Sequence, residues 1–164
     1  MAFGLRIINL TSLPIFTDEA IYIRWTQIAN IDPVWRFISL TDGKQPLFIW
    51  LNIVSQRLFS EPLFAGRLIS VLTGVFTSLG LFFLGKLIFN TKVGLLASFI
   101  WAIFPIALWH DRLAMMDSLL ACFFTWGIWL EILLIKIPRL DIALFLGITI
   151  GGGLLTKSSA QFLF

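Results

Sequence analysis

Long apolar runs occupy most of the chain after residue 62, at 63–89, 93–109, 114–136 and 140–156. Short polar connections separate them: Asn90-Thr91-Lys92, then His110-Asp111-Arg112, then Lys136 to Asp141 with Pro138 as a breaker. Runs of this length predict membrane helices, since a full span takes about 20 apolar residues. Residues 17–62 read differently. They hold nine of the chain's 21 acidic and basic residues, yet stay rich in aromatics. Within them Ile21, Trp25 and Ile28 fall on one helix face. Asp32-Pro33 is a helix-start signal, a capping acid followed by proline in the first turn. The spacing predicts short helices lying in the interface, with Trp25 and Trp35 at headgroup depth.

Two segments are harder to place. Residues 46–59, as a helix, would reach only about 21 Å at 1.5 Å per residue. A hydrocarbon core is about 30 Å thick, so this piece is a short span or an interfacial helix. Residues 1–16 are mostly apolar and carry no Ala-x-Ala-like cleavage site. They are expected to be part of a first membrane helix. The abrupt apolar end at Phe164 adds the expectation that 1–164 is the N-terminal portion of one longer membrane domain.

The basic residues orient the chain. If 46–59 does not cross, Lys86, Lys92, Lys136 and Arg139 share one side, as the positive-inside rule expects of cytoplasmic loops. The acidic stretch and His110-Asp111-Arg112 then share the external side. If it does cross, the basic loops move outside and Asp18 and Asp111 fall on opposite faces. The non-crossing arrangement is the one preferred here.

Composition sharpens this picture. The chain is 59% hydrophobic and 13% charged, where a soluble domain is about a quarter charged. The expected fold is therefore an all-α integral membrane protein: a polytopic bundle of about four to five membrane helices, with short interfacial helices in the first external loop. The net charge of +3 is small and dispersed, which argues against a nucleic-acid partner. Cys122 has no cysteine partner and sits in an apolar run, as a small filler does. Gly147 and Gly151–Gly153 suggest close helix packing within the bundle.

Four polar clusters interrupt the apolar pattern: Asp18-Glu19, Asp42-Gly43-Lys44-Gln45-Pro46, His110 to Asp117, and Thr156 to Ser159. In the preferred topology the first three share one face. Lys157 lies about 24 Å of helix beyond a cytoplasmic loop, which returns it to that face. Polar groups gathered at a membrane boundary are what a site requires.

An Asp-Glu pair soon after a first membrane helix, then Gly-Lys-x-Pro-Leu, then an Arg with an Asp five residues on, resembles the GT-C membrane glycosyltransferases. The branch it looks most like is the polyprenyl-phosphate-dependent protein mannosyltransferase and aminoarabinose transferase group. The likeness runs from about residue 14 to 164, and Gln45 departs from it where the family often has proline. It implies transfer of a mannose-like or aminoarabinose-like sugar from a polyprenyl-phosphate donor to a hydroxyl on a protein, lipid or glycan. It implies a multi-pass protein of the cytoplasmic membrane with its site on the external face. Matched to the family's acidic pair, Asp18 is the expected base, with Glu19 positioning it or sharing a divalent metal. Lys44, Arg112 and Lys157 are the expected cations for the lipid phosphate. Asp117 is expected to orient Arg112 or, with Asp111, to help bind acceptor or metal. The one cofactor the resemblance leaves room for is a divalent cation.

Plainer roles exist for each group. Asp18 and Glu19 suit a helix's first turn, Lys44 suits a solvated loop, Arg112 and Asp117 suit a boundary pair, and His110 and Lys157 suit snorkelling. The competing function is a transporter or flippase-like path lined by membrane acids. The Asp and Glu residues at loops and helix ends favour transfer; Glu131 is the main exception. A third reading is that this stretch alone is inactive.

Overall fold

The computed structural model describes residues 1–162, and among them every regular element is helical. A short α1 (Ala2–Ile7) precedes α2 (Thr17–Ile31), a 3-10 segment (Pro33–Asp42) and α3 (Leu47–Leu58). The long helices follow as α4 (Pro62–Ile88), α5 (Thr91–Ile103), the short α6 (Pro105–His110), α7 (Met116–Lys136) and α8 (Leu140–Thr156). A 3-10 turn at Ser158–Phe162 ends the described chain. This is an all-α membrane bundle of the expected class.

Helices α4 and α7 are long and apolar enough to cross a bilayer, while α5 and α8 are shorter apolar helices. With 27 residues α4 reaches about 40 Å, and α7 with 21 reaches about 31 Å, at 1.5 Å per residue. The apolar run 93–109 forms two helices rather than one. Pro105 has no N–H to donate and pushes the preceding Phe104 into an extended conformation, so α5 stops and α6 restarts. Within residues 1–16 the helix is limited to Ala2–Ile7. Helix α3 has 12 residues, about 18 Å, and buries Phe48 and Ile49 completely among Tyr22, Ile23 and Ala114.

The starts of these helices follow local chemistry. Asp32 caps the 3-10 segment by accepting from the Val34 N–H at 2.9 Å. Asn90 does the same for α5 through the Val93 N–H at 3.0 Å. Proline opens α4 and α6, where its missing donor costs nothing. Helix α4 packs on α5 at Gly85 and Gly94. A Cβ on Gly85 would lie 2.8 Å from the Gly94 Cα, so any larger residue would drive the backbones apart.

The up-and-down path gathers the polar residues at one end. The starts of α4 and α7 and the finish of α8 meet there, tied by the Lys157–Asp117 pair at 2.8 Å. At the other end Lys136 donates to the Leu87 carbonyl at 2.8 Å, and Arg139 pairs with Asp141 at 2.7 Å.

Candidate active site

An open cavity of about 420 Å³ lies at the polar end of the bundle. Asp18, Lys44, Asp117 and Lys157 line it, with Tyr22 and Met116 among its walls. They come from the first turn of α2, the loop before α3, the first turn of α7 and the residue after α8. All four polar clusters in the sequence thus contribute to one space.

Lys44 is held by its loop. Gly43 adopts a left-handed conformation, φ +68°, which glycine takes without steric cost. That turn lets the Gly43 N–H donate to Leu40 and the Lys44 N–H donate to Ser39, both at 3.0 Å. The ammonium then sits 3.2 Å from Asp42 and 5.0 Å from the centre of the Tyr22 ring. Partial burial works against its charge, but Asp42, Tyr22 and the field of Asp18 outweigh it and raise the Lys44 pKa above the ordinary lysine value. The loop is moored to the chain after α8 by Gln45, whose Nε2 donates to Ser158 Oγ at 3.2 Å.

The structure separates the two adjacent acids. Successive helix residues differ by about 100° around the axis, so when one acid faces inward its neighbour does not. Asp18 lines the cavity. Glu19 is fully buried and meets Arg67 of α4 edge to edge: Arg67 Nε and Nη2 each donate to a different carboxylate oxygen at 2.7 Å. Glu19 also accepts from the Ala114 N–H at 2.8 Å and the Phe16 N–H at 3.2 Å. Desolvation favours its neutral acid, but Arg67 and the two backbone N–H groups prevail, and its pKa lies below the ordinary glutamate value. Both oxygens are committed, so Glu19 and Asp18 do not form a shared carboxylate ligand set. Among the described residues no three His, Cys, Asp or Glu side chains gather as a metal cluster.

Arg112 and Asp111 also lie away from the cavity at Asp18. Arg112 donates to the carbonyls of Ile8 at 2.8 Å and Asn9 at 3.0 Å, closing the end of α1. Asp117 is therefore paired with Lys157 rather than with Arg112. Asp111 is buried and accepts from Arg6 Nε at 2.8 Å. Burial raises the Asp111 pKa, with Ser118, Arg6 and His110 offsetting part of that rise. A Cβ on Gly74 would collide with this carboxylate, so glycine there makes room for the pair.

Sequence reasoning missed Arg6 and Arg67. Arg6 bonds Asp111 and the carbonyls of Ala102 and Trp101. Arg67 bonds Glu19 and the carbonyls of Leu10, Leu13 and Pro14. A lone arginine inside an apolar run is the signal that could have found them, because such a charge needs an acid nearby.

A family model described as dolichyl-phosphate-mannose-protein mannosyltransferase matches residues 43–164. No curated protein and no solved structure gives a significant match. The matched segment contains Lys44, Asp117 and Lys157. Asp18 precedes it and joins them through geometry, as a wall of the same cavity.

Proposed function

Because this chain belongs to the dolichyl-phosphate-mannose-protein mannosyltransferase family, we propose that the cavity at Asp18 is where it transfers a sugar from a polyprenyl-phosphate donor to a hydroxyl acceptor. The observation that carries this is the convergence of Asp18 with Lys44, Asp117 and Lys157 around one open space.

The reaction needs a base and a cationic cradle. The acceptor oxygen attacks the sugar C1 and loses its proton to the Asp18 carboxylate, which must come within about 3 Å of it. The C1–O bond to the lipid phosphate breaks, and the phosphate departs with the bonding pair. Negative charge grows on that phosphate, and Lys44 and Lys157 are the cations beside it. Asp42 and Asp117 hold these ammonium groups in place. Glu19 acts one step back: its bonds to Arg67 and Ala114 fix the first turn of α2 and so aim Asp18.

The apolar helices beneath the cavity suit a polyprenyl carrier that stays in the bilayer while its head rises to the polar end. The positive-inside rule puts Lys86, Lys92, Lys136 and Arg139 in the cytoplasm. They lie at the end opposite the cavity, which supports a site on the external face of the cytoplasmic membrane. A protein hydroxyl is the acceptor that the family description favours.

The test is donor kinetics in Lys44→Ala protein. Loss of one charge-assisted contact costs about 1.5–3 kcal/mol, or roughly ten- to a hundredfold, and the account expects a rise of that size in donor KM. Unchanged donor kinetics would remove Lys44 from the phosphate site.

A further inference from the structure

A second cavity, of about 440 Å³, opens between the 3-10 segment and α3. Arg36, Phe37, Trp50, Ile53 and Arg57 line it. Arg57 stands in the last turn of α3, while Lys44 precedes the first, so about 15 Å of helix separates it from the transfer cavity. The walls are tied together. Trp50 Nε1 donates to the Arg36 carbonyl at 2.8 Å, and the Trp50 and Phe37 rings meet at 88° with centres 5.3 Å apart. Arg57 Nε donates to Asn30 Oδ1 at 3.0 Å, which leaves its terminal guanidinium nitrogens uncommitted. Among the described residues no acid lines the space, and neither arginine forms an ion pair. By contrast Lys44, Lys157 and the buried Arg6 and Arg67 each have a carboxylate. Arg36 and Arg57 are both exposed, so a ligand can reach their charges.

The lining selects among guests. Two guanidinium groups on one space repel a cation and favour an anion. Arginine's planar fork matches the oxygens of a phosphate in particular. A wholly polar anion would leave Phe37, Trp50 and Ile53 uncovered. The chain nearby exposes still more apolar surface. Trp50, Val54, Arg57 and Leu58 fall on one face of α3, with Val54 and Leu58 largely exposed. Val34, Trp35 and Leu40 are exposed on the 3-10 segment. Arginines beside exposed aromatic and aliphatic side chains are the make-up of a segment that lies in a membrane interface. The guest that meets both halves of the lining is an anion with an apolar body.

We propose that this cavity holds the phosphate of an anionic phospholipid between Arg36 and Arg57, with the acyl chains along the exposed apolar side chains around it. The bound lipid fastens the 3-10 segment and α3 to the bilayer surface beside the transfer cavity. Binding uses neither Asp18 nor Lys44, so the inference stands apart from the transfer reading.

Native mass spectrometry of the protein released from dodecyl maltoside micelles tests this. The micelles carry phosphatidylglycerol or, for comparison, phosphatidylcholine, whose choline cancels the phosphate charge. The unmodified protein is expected to retain phosphatidylglycerol in preference to phosphatidylcholine. Arg36→Gln and Arg57→Gln are each expected to weaken that retention about fivefold, the effect of one basic residue at an anionic lipid surface. Their unfolding midpoints without lipid are expected to stay unchanged, since both side chains are exposed. Excess inorganic phosphate is expected to leave the lipid in place. Equal retention of the two lipids, or undiminished phosphatidylglycerol in Arg36→Gln/Arg57→Gln, would overturn the proposal. Displacement by inorganic phosphate would assign the cavity to a free ion instead. Loss confined to Lys86→Gln/Lys136→Gln would place the lipid at the opposite end of the bundle and overturn it as well. Loss confined to Lys44→Ala would place the lipid in the transfer cavity, which overturns this site and leaves the transferase reading standing. The expected pattern in a protein without transfer activity would do the reverse.

Discussion

Glu19 and Arg67 meet edge to edge in the protein interior, with both nitrogen–oxygen distances at 2.7 Å and neither side chain exposed. The pair joins the first turn of α2 to α4, and the Ala114 N–H brings in the chain just before α7. It sets the angle at which Asp18 enters the cavity.

Removing one member of that pair leaves the other charge buried and alone, which costs about 3–5 kcal/mol. Arg67→Leu is expected to lower stability by that amount. Glu19→Gln keeps the shape but not the charge and is expected to destabilise somewhat less. Thermal unfolding of the purified variants measures both. Midpoints equal to that of the unmodified protein would show that the pair does not hold the fold together.

The same pair makes stability depend on pH. The folded Glu19 has a pKa below its ordinary value near 4.5, so the unfolded chain takes up a proton there first as pH falls. The contribution of Glu19 is present in full above about pH 4.5 and is lost as pH drops through the folded value. Unfolding midpoints measured from pH 6 to pH 3 are expected to fall over that acid range, with a shallower fall in Glu19→Gln. Parallel curves for the two proteins would contradict the assignment.

Much of the candidate site can be read from the chain, and the reasons differ by residue. Lys44 is implied by the Gly-Lys-x-Pro-Leu resemblance, and the structure adds the left-handed Gly43 turn that sets the lysine over Tyr22. Lys157 and Asp117 follow from the number of apolar runs, since an even number of crossings returns both to one end. The split between Asp18 and Glu19 is not readable in that way. It depends on Arg67, a residue 48 positions from Glu19, and the chain alone does not show which acid that arginine takes. Arg112 is a phosphate ligand by the family resemblance but is drawn to the Ile8 and Asn9 carbonyls just past α1. The glycines show the same limit. Gly147 and Gly151 have nothing within 4 Å of an added Cβ, but Gly152 beside them is tight against the Phe123 ring, as are Gly66, Gly74, Gly80, Gly85 and Gly94 against their own neighbours. Which glycine is tight depends on the neighbouring helix.

Gly74 carries its own expectation. A methyl there would displace the Asp111 carboxylate from Arg6. Overpacking of this sort costs about 1–3 kcal/mol, and Gly74→Ala is expected to lower the unfolding midpoint accordingly. Gly147→Ala, with open space around it, is expected to leave the midpoint unchanged or slightly raised. Equal effects of the two substitutions would contradict the close fit of Asp111 against α4.

The most direct measurement is the rate of sugar transfer from a polyprenyl-phosphate mannose donor by Asp18→Asn protein in membranes. The unfolding midpoint is measured alongside to establish that the protein is folded. Asparagine keeps the shape of Asp18 but is no base at neutral pH. The account predicts a fall of roughly a hundred- to ten-thousandfold in turnover, the usual share of a positioned base, with donor binding retained. Transfer at the unmodified rate by folded Asp18→Asn would contradict it.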